Sequence, residues 1–128
     1  MRDVISTDGA PAAAGPYSQA IRTGELVFTA GQLGLDPATG EFAANDVAGQ
    51  AECALKSLGA ILEAAGSGLD RLVKVTVYLA DIGDWPAVNE VYARMIPEPF
   101  PARSAFAVRD LPKGALVEIE AIASVTAG

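Results

Sequence analysis

The sequence predicts an α+β domain in which a single mixed β-sheet of about six strands carries two helices on one face. Six segments have the composition or alternation of strands, and two segments have apolar residues at helical spacing. Their order along the chain is β-β-β-α-β-α-β-β, with no repeated βαβ series, so a doubly wound parallel sheet is not expected. At 128 residues, the whole chain (1–128) is predicted to form one domain.

Three short strands are predicted before the first helix. They are Arg2–Thr7, Tyr17–Arg22 and Leu26–Ala30. The last two are separated by Thr23-Gly24-Glu25, which suits a tight turn. The segments Asp8–Gly15 and Gly31–Gly40 are predicted loops, because both are marked by glycine and proline.

The first helix is the best defined, with an N-cap at Asn45 or Asp46 and a terminating glycine at Gly66. Its apolar residues recur at spacings of three and four, which predicts one buried stripe. They are Val47, Ala51, Ala54, Leu55, Leu58, Ile61, Leu62 and Ala65. The opposite face is predicted to be polar and carries Gln50, Lys56, Ser57 and Glu63.

A strand over Leu69–Ala80 and a second helix follow. Apolar Val73, Val75, Val77 and Leu79 alternate with more polar residues, which predicts one buried face. Asp84 is predicted to cap the second helix, and Pro86 lies in its first turn, where a missing N–H costs nothing. The inner stripe of this helix is predicted to be Val88, Val91, Tyr92 and Met95.

Three prolines, Pro97, Pro99 and Pro101, end the second helix and favour an extended chain. The last two predicted strands are Ala102–Val108 and Leu116–Val125.

Composition limits the classes of function open to the chain. The net charge is −7 and the nine Lys and Arg residues form no run, so nucleic acid is not an expected partner. A single cysteine, Cys53, excludes an internal disulfide. The absence of histidine excludes zinc sites built on imidazole and Ser-His or Cys-His nucleophile pairs.

No apolar run approaches the length of a bilayer span, and the N-terminal segment has no signal-peptide core. A cytoplasmic protein without a membrane segment is therefore expected. Hydrophobic residues make up 51% of the chain, which is rich for a small protein. We expect the excess apolar area to lie at a subunit interface, on the sheet face away from the helices.

The segment Pro101–Ala123 holds the strongest functional signal. Arg103 lies alone in an apolar strand, and a guanidinium matches a carboxylate through two parallel hydrogen bonds. Ala105 and Ala107 lie on the same strand face and would leave room for a ligand. These residues suggest a site for a small carboxylate. The competing interpretation is a rim arginine paired with a neighbouring acid.

Two carboxylates, Glu118 and Glu120, share a face of the last strand. Apolar surroundings tend to raise the pKa of a carboxylate, so Glu is the best candidate for proton transfer in a chain without histidine. A solvated strand face is the commoner interpretation of such a pattern. Whether Arg103 and Glu118 lie on one face depends on the strand register, which the sequence does not give.

Four further positions have a structural and a functional interpretation. Tyr17 is either a half-buried strand residue or a hydroxyl that holds water or ligand. Gly31 either ends a strand or lets a ligand approach a backbone N–H. Cys53 is expected to be a packing residue rather than a nucleophile, and Asn89 a surface or capping contact rather than a site residue. The glycine spacing of Gly31–Gly40 does not match a nucleotide-binding loop.

The chain resembles the RidA family, also called YjgF, over its full length. The matching segments are APAAAGPYSQA, FTAGQLGLDPATGE, DVAGQAECALKSLGAILEAAG, LVKVTVYLADIGDWPAVNEVYARM, PARSAF and LPKGALVEIEAIA. The resemblance implies a chorismate-mutase-like fold and a homotrimer with sites in the clefts between subunits. It also implies a cofactor-free hydrolysis of reactive 2-enamino and 2-imino acids, such as 2-aminoacrylate, to 2-oxo acids and ammonia.

The resemblance also assigns roles to individual residues. It implies that Arg103 binds the substrate carboxylate and that Glu118 lies near the water and the substrate nitrogen. It implies that Tyr17 lines the cleft and that the backbone of Gly31 helps to hold the ligand. The remaining two site positions depart from the family. Ala30 stands where the family often has serine, and Ala105 stands where it often has cysteine, so a hydroxyl and a thiol are missing from the predicted pocket.

The lead hypothesis is therefore an imine deaminase in which Glu118, with Tyr17, activates a water molecule. Two alternatives remain open. One is a trimeric protein that binds 2-oxo acids or similar metabolites without turnover, which Ala30 and Ala105 favour slightly. The other is an RNA-directed activity, against which the net charge of −7 argues.

Overall fold

A computed structural model of the chain describes residues 1–125, so the last three residues of the predicted domain lie outside the described part. The strands are β1 (Asp3–Ile5), β2 (Ala20–Thr23), β3 (Leu26–Thr29), β4 (Gln32–Leu33), β5 (Leu72–Leu79), β6 (Ala102–Ala107) and β7 (Val117–Ser124). The helices are α1 (Val47–Ala64) and α2 (Trp85–Met95). Short 3₁₀ turns lie at Leu69–Arg71, Ile82–Asp84 and Pro112–Gly114.

The strands form one mixed sheet in the order β1-β2-β3-β7-β5-β6, with β4 paired to β7. Strands β5 and β6 are parallel, and the other pairs are antiparallel. The predicted fold class and element order are confirmed, with β4 as an additional strand inside the segment predicted as the loop Gly31–Gly40. Its two residues are too few to show an alternating pattern.

A break between β3 and β4 shapes the surface beside it. Strand β7 pairs with β3 at one end and with β4 further along, and Ala30 and Gly31 lie between the two pairings. At this break the hydroxyl of Thr29 accepts a hydrogen bond of 3.0 Å from the backbone N–H of Ala121. A side chain therefore replaces one bond of the ladder, and the chain leaves the sheet for two residues.

Both helices pack on one face of the sheet, as predicted. The eight apolar positions of the α1 stripe are all buried, and so are Val88, Val91 and Tyr92 of α2. They meet the inward-facing side chains Val75, Val77 and Leu79 of β5 and Val117 and Ile119 of β7. The spacing of three and four in the helices and the alternation in the strands thus converge on one core.

The predicted helix ends are confirmed, but the predicted side-chain hydrogen bonds at the N-caps are not present. Gly66 has a φ of +83°, its N–H bonds to Glu63, and the next N–H, of Ser67, bonds to Leu62. This is a Schellman motif, which glycine favours. At the other end Asp46 occupies the N-cap without a side-chain cap bond. Asp84 likewise precedes α2 without a cap bond from its side chain.

Four side chains differ from the sequence-based expectation. Gln50 and Ser57, expected on the polar face of α1, are buried. Gln50 is satisfied there because it accepts from the N–H of Leu116 at 2.9 Å, which links α1 to the start of β7. Val73 is 47% exposed because the β5–β7 register shifts between Leu72 and Lys74. Tyr17 lies in a bend before β2 and is 54% exposed, so it is not a strand residue.

The face away from the helices carries both polar and apolar side chains. Lys74, Thr76 and Tyr78 of β5 lie beside Ile122, Glu120 and Glu118 of β7. Leu26, Phe28 and Phe106 are exposed at 39%, 41% and 45%. This is the surface for which the sequence predicts a subunit interface. Over residues 1–125, neither helix has the length and apolar character needed to cross a membrane.

Candidate functional site

Four of the residues singled out in the sequence line one cavity of about 700 Å³, here called the Glu118 cleft. They are Tyr17, Ala30, Gly31 and Glu118. Tyr17 comes from the bend before β2, Ala30 and Gly31 from the break between β3 and β4, and Glu118 from β7. Most of the remaining wall is apolar, with Leu33 and Leu35 among its residues, and Lys113 contributes a cation. The cleft therefore joins one carboxylate, one phenol and an exposed stretch of backbone.

Gly31 lies directly against the carboxylate of Glu118. A Cβ added to Gly31 would overlap the Oε2 atom of Glu118 and would lie 2.8 Å from its Cδ. The glycine is thus needed for space and not for an unusual backbone angle. The sequence suggested close approach to a ligand, and the structure shows close approach to the candidate proton-transfer group.

Gly31→Ala is expected to lower the free energy of unfolding by about 1–3 kcal/mol, because the added methyl must displace Glu118 or strain the break beside it. Chemical denaturation measures this loss. Gly59→Ala is the matched control, since its Cβ would meet Leu69 at 3.5 Å, an ordinary contact, inside α1. That control is expected to be neutral or stabilising. Equal stability of Gly31→Ala and wild type would contradict the contact.

The environment of Glu118 disfavours its charged form. Burial, and then the nearby charge of Glu120, raise the pKa of Glu118 above its ordinary value. Glu120 in turn accepts a hydrogen bond of 2.9 Å from the hydroxyl of Tyr78, the residue paired with Glu118 across the strands. Burial, this bond and the two carboxylates raise the pKa of Tyr78 to about 12, so the phenol remains a donor at neutral pH.

Glu120→Gln is expected to lower the pKa of Glu118, because it removes a neighbouring negative charge while burial remains. Between the two pKa values, Glu118 would be more ionised in the variant than in the wild type. A ¹³C NMR titration of the Glu118 carboxyl group measures the change. Glu63→Gln, on the exposed side of α1, serves as the control and should leave the pKa of Glu118 unchanged. An unchanged Glu118 titration in Glu120→Gln would show that the two carboxylates do not interact.

Arg103 lies at the edge of the sheet and is held by neutral groups. Its Nη1 donates a hydrogen bond of 2.8 Å to Oδ1 of Asn89. Its guanidinium carbon lies 4.6 Å from the ring centre of Trp85 and 4.7 Å from that of Tyr92. Among residues 1–125, no carboxylate lies within ion-pair distance of Arg103. The interpretation of a rim arginine paired with an acid is therefore not what the structure shows.

Arg103 and Glu118 lie on opposite faces of the sheet. Arg103 is paired with Val75 of β5, whose side chain points to the helices, whereas Glu118 is paired with Tyr78 on the other face. Arg103 lines a separate cavity of about 340 Å³, with Asn89, Tyr92, Ala93, Phe100 and Pro101. Within one chain, Arg103 and Glu118 thus line separate cavities, which settles the question of strand register that the sequence left open.

Ala105 lies in neither cavity. It is paired with Val77 and is partly buried against the core beneath the helices. Ala105 was expected to leave room for a ligand beside Arg103, but it packs instead against a core cluster that includes residues of α2.

Sequence reasoning missed the residues that hold Arg103. Trp85, Asn89 and Tyr92 are spaced by four and three along α2, which places them on one side of the helix. Asn89 was expected to be a surface contact and Tyr92 a core residue. Tyr92 is indeed 2% exposed, but its hydroxyl has no hydrogen-bond partner among the described residues. Two aromatic residues and an amide at this spacing, ahead of a lone arginine, were the available signal.

The described residues provide neither a cluster for a metal ion nor a cysteine with a lowered pKa. Within residues 1–125, no three His, Cys, Asp or Glu side chains cluster closely enough to hold a metal ion. The Cys53 thiol donates to the carbonyl of Leu35 at 3.3 Å, and burial raises the pKa of this thiol. Cys53 thus remains a protonated packing residue, as its position on α1 predicts.

Comparison with known proteins gives a consistent set of similarities. The sequence model of the family described as Endoribonuclease L-PSP matches residues 7–125. RutC family protein y4sK of Sinorhizobium fredii is 53% identical over 98% of this chain and 100% of its own length. The 2-iminobutanoate/2-iminopropanoate deaminase of Bos taurus is 51% identical over 96% of this chain and 90% of its own. The crystal structure of RidA from the Antarctic bacterium Psychrobacter sp. PAMC 21119 is 46% identical, covers 96% of this chain and 99% of its own, and superimposes with a TM-score of 0.93.

Proposed function

The chain belongs to the endoribonuclease L-PSP family, also named RidA or YjgF, and we propose that it is an imine deaminase. The proposed reaction hydrolyses a 2-imino acid, or its 2-enamino tautomer, to a 2-oxo acid and ammonia in the cytoplasm and without a cofactor. The observation that carries the proposal is Arg103, an oriented guanidinium that no carboxylate of the described chain neutralises. Relatives named 2-iminobutanoate/2-iminopropanoate deaminase support the same reaction.

Substrate binding starts with the carboxylate that every 2-imino acid carries. The guanidinium of Arg103 binds it through two charge-assisted hydrogen bonds, which fix both position and orientation. This leaves the C=N carbon at a defined distance from the arginine. Positioning of this kind suffices for much of the rate enhancement, because the imine is intrinsically labile to water.

Glu118 is the proposed proton acceptor. As the water oxygen bonds to the C=N carbon, Glu118 takes a proton from the water and passes it to the nitrogen. The resulting carbinolamine carries the former water oxygen as a hydroxyl group. Glu118 then takes the hydroxyl proton and passes it to the amino group, so that the C–N bond breaks, nitrogen leaves as ammonia and the oxygen becomes the carbonyl of the 2-oxo acid. Tyr17 lines the same cleft and is proposed to hold the water. The backbone N–H of Gly31 is proposed to contact the ligand beside Glu118.

The proposed site is built from two chains. Arg103 and Glu118 lie on opposite faces of one sheet, so a single small substrate cannot contact both within one chain. We propose a homotrimer in which the Arg103 surface of one subunit closes the Glu118 cleft of the next. The exposed Leu26, Phe28 and Phe106 on the outer sheet face support burial against another copy.

Charge distinguishes this proposal from an RNA-directed activity. The chain has 16 Asp and Glu residues against nine Lys and Arg, and RNA backbone binding requires clustered positive charge. The Glu118 cleft is lined by one cation, Lys113, and one carboxylate, Glu118. A small carboxylate fits this balance better than a polyanion.

A panel of imines generated in situ by an amino-acid oxidase tests the proposal. The purified protein should accelerate formation of the 2-oxo acid above the spontaneous rate, which is measured with oxidase alone. The panel varies the side chain of the imine, since Ala30 leaves the wall of the Glu118 cleft without a hydroxyl at that position. If no imine reacts faster but 2-oxo acids raise the melting temperature, the chain is a binding protein. Salt-sensitive binding and cleavage of RNA would instead support the alternative of an RNA-directed activity.

A further inference from the structure

One side of α2 forms a cradle for Arg103, defined here as Trp85, Asn89 and Tyr92. The two rings lie at 4.6 Å and 4.7 Å from the guanidinium carbon, within the range in which an aromatic face attracts a cation. Asn89 accepts the single hydrogen bond that Arg103 makes with another side chain among the described residues. Three side chains of one helix thus restrict the orientation of one exposed arginine.

The hydrogen bond that Asn89 accepts involves only one part of the guanidinium. It engages Nη1, which leaves the edge formed by Nε and Nη2 available for a second partner. That edge is one of the two forks that match both oxygens of a carboxylate. The cradle also contains no ionised group, so it does not reduce the positive charge of Arg103.

We propose that Asn89 is a positioning residue for Arg103, which orients the guanidinium through a neutral oxygen and leaves its charge for the substrate carboxylate. This inference rests on the proposed function for its substrate. It differs from a purely structural role of Asn89 in one respect. A structural partner would be replaced well by aspartate, which has the same shape and accepts more strongly from a guanidinium.

Asn89→Asp therefore distinguishes a positioning role from a structural one, because a positioning role predicts weaker ligand binding without a loss of stability. The new carboxylate would pair with Arg103 and compete with the ligand, so we expect the Kd for 2-oxobutanoate to rise by about tenfold or more. We expect KM for the corresponding imine to rise in parallel, with a smaller change in kcat. The melting temperature should stay the same or rise. Isothermal titration calorimetry gives Kd, and emission from Trp85, the one tryptophan of the chain, gives it independently.

Two further variants complete the test. Asn45→Asp makes the same chemical change at an exposed position before α1, outside both cavities, and should leave Kd and KM unchanged. Asn89→Leu removes the acceptor without adding charge, and should weaken 2-oxobutanoate binding less than Asn89→Asp does.

The outcomes separate this inference from the proposed function. If wild type and Asn89→Asp bind 2-oxobutanoate equally, the inference is wrong even when the imine is hydrolysed. If wild type binds 2-oxobutanoate but hydrolyses no imine, the deaminase proposal fails, while weaker binding by Asn89→Asp still supports the role of Asn89. If wild type neither binds nor reacts, both are wrong.

Discussion

Arg103→Ala is expected to lower kcat/KM for a 2-imino acid by about a hundredfold or more. Truncating one partner of a hydrogen-bonded charge pair costs about 2–5 kcal/mol, and each 1.4 kcal/mol is a factor of about ten. Most of the loss should appear in KM if the carboxylate is held equally in the ground and transition states. The oxidase-coupled assay with wild type and variant measured side by side provides the test.

Two variants control for charge and for folding. Arg103→Lys keeps the charge but loses the planar fork, so it should recover part of the activity and not all of it. Arg109→Ala removes an arginine whose side chain is 98% exposed beyond β6, and should behave as wild type. A kcat/KM of Arg103→Ala close to that of wild type would exclude Arg103 as the carboxylate-binding residue.

Glu118→Gln is expected to lower kcat by about a hundredfold to ten-thousandfold, the usual contribution of a positioned acid or base. The amide has nearly the same shape, so the contact with Gly31 and the fold should persist. As a base, Glu118 must be ionised, so the wild-type rate should fall as the pH drops through its raised pKa. Glu120→Gln should retain activity but move this acidic limb to lower pH.

Mixing the two inactive variants asks whether the site is shared between chains. In a cyclic trimer that exchanges subunits, Arg103→Ala chains supply Glu118 and Glu118→Gln chains supply Arg103. An equal mixture should then recover about a quarter of the wild-type sites. Sites contained within one chain would recover none, and that result would refute the shared site.

The sequence was sufficient for elements whose pattern is periodic. The apolar stripe of α1, the termination at Gly66 and the alternation from Val75 to Leu79 all follow local rules that the structure obeys. Local rules could not predict β4, because two residues show no period, or the exposure of Val73, which depends on a register shift with β7. Burial of Gln50 also depends on a distant partner, the N–H of Leu116.

The candidate site, like the fold, could be predicted from the sequence only in part. Motif resemblance singled out Arg103 and Glu118, but their relation is a property of the sheet. The two strands that carry them follow each other in the chain, yet β5 lies between them. The face of each residue is then set by its own pairing with β5, through Val75 and Tyr78. Likewise, the spacing of Trp85 and Asn89 marks one side of α2, but only the folded chain shows that this side contacts Arg103.

The placement of Arg103 and Glu118 on opposite faces has a consequence for how the proposed activity scales with the amount of protein. If the site is shared as proposed, a single chain would hold only half of each site, so dilution below the dissociation constant of the assembly would switch catalysis off without unfolding the chain. In that range the rate would rise more steeply than in proportion to protein concentration. Expression level would then set both the number of catalysts and the fraction of chains able to act.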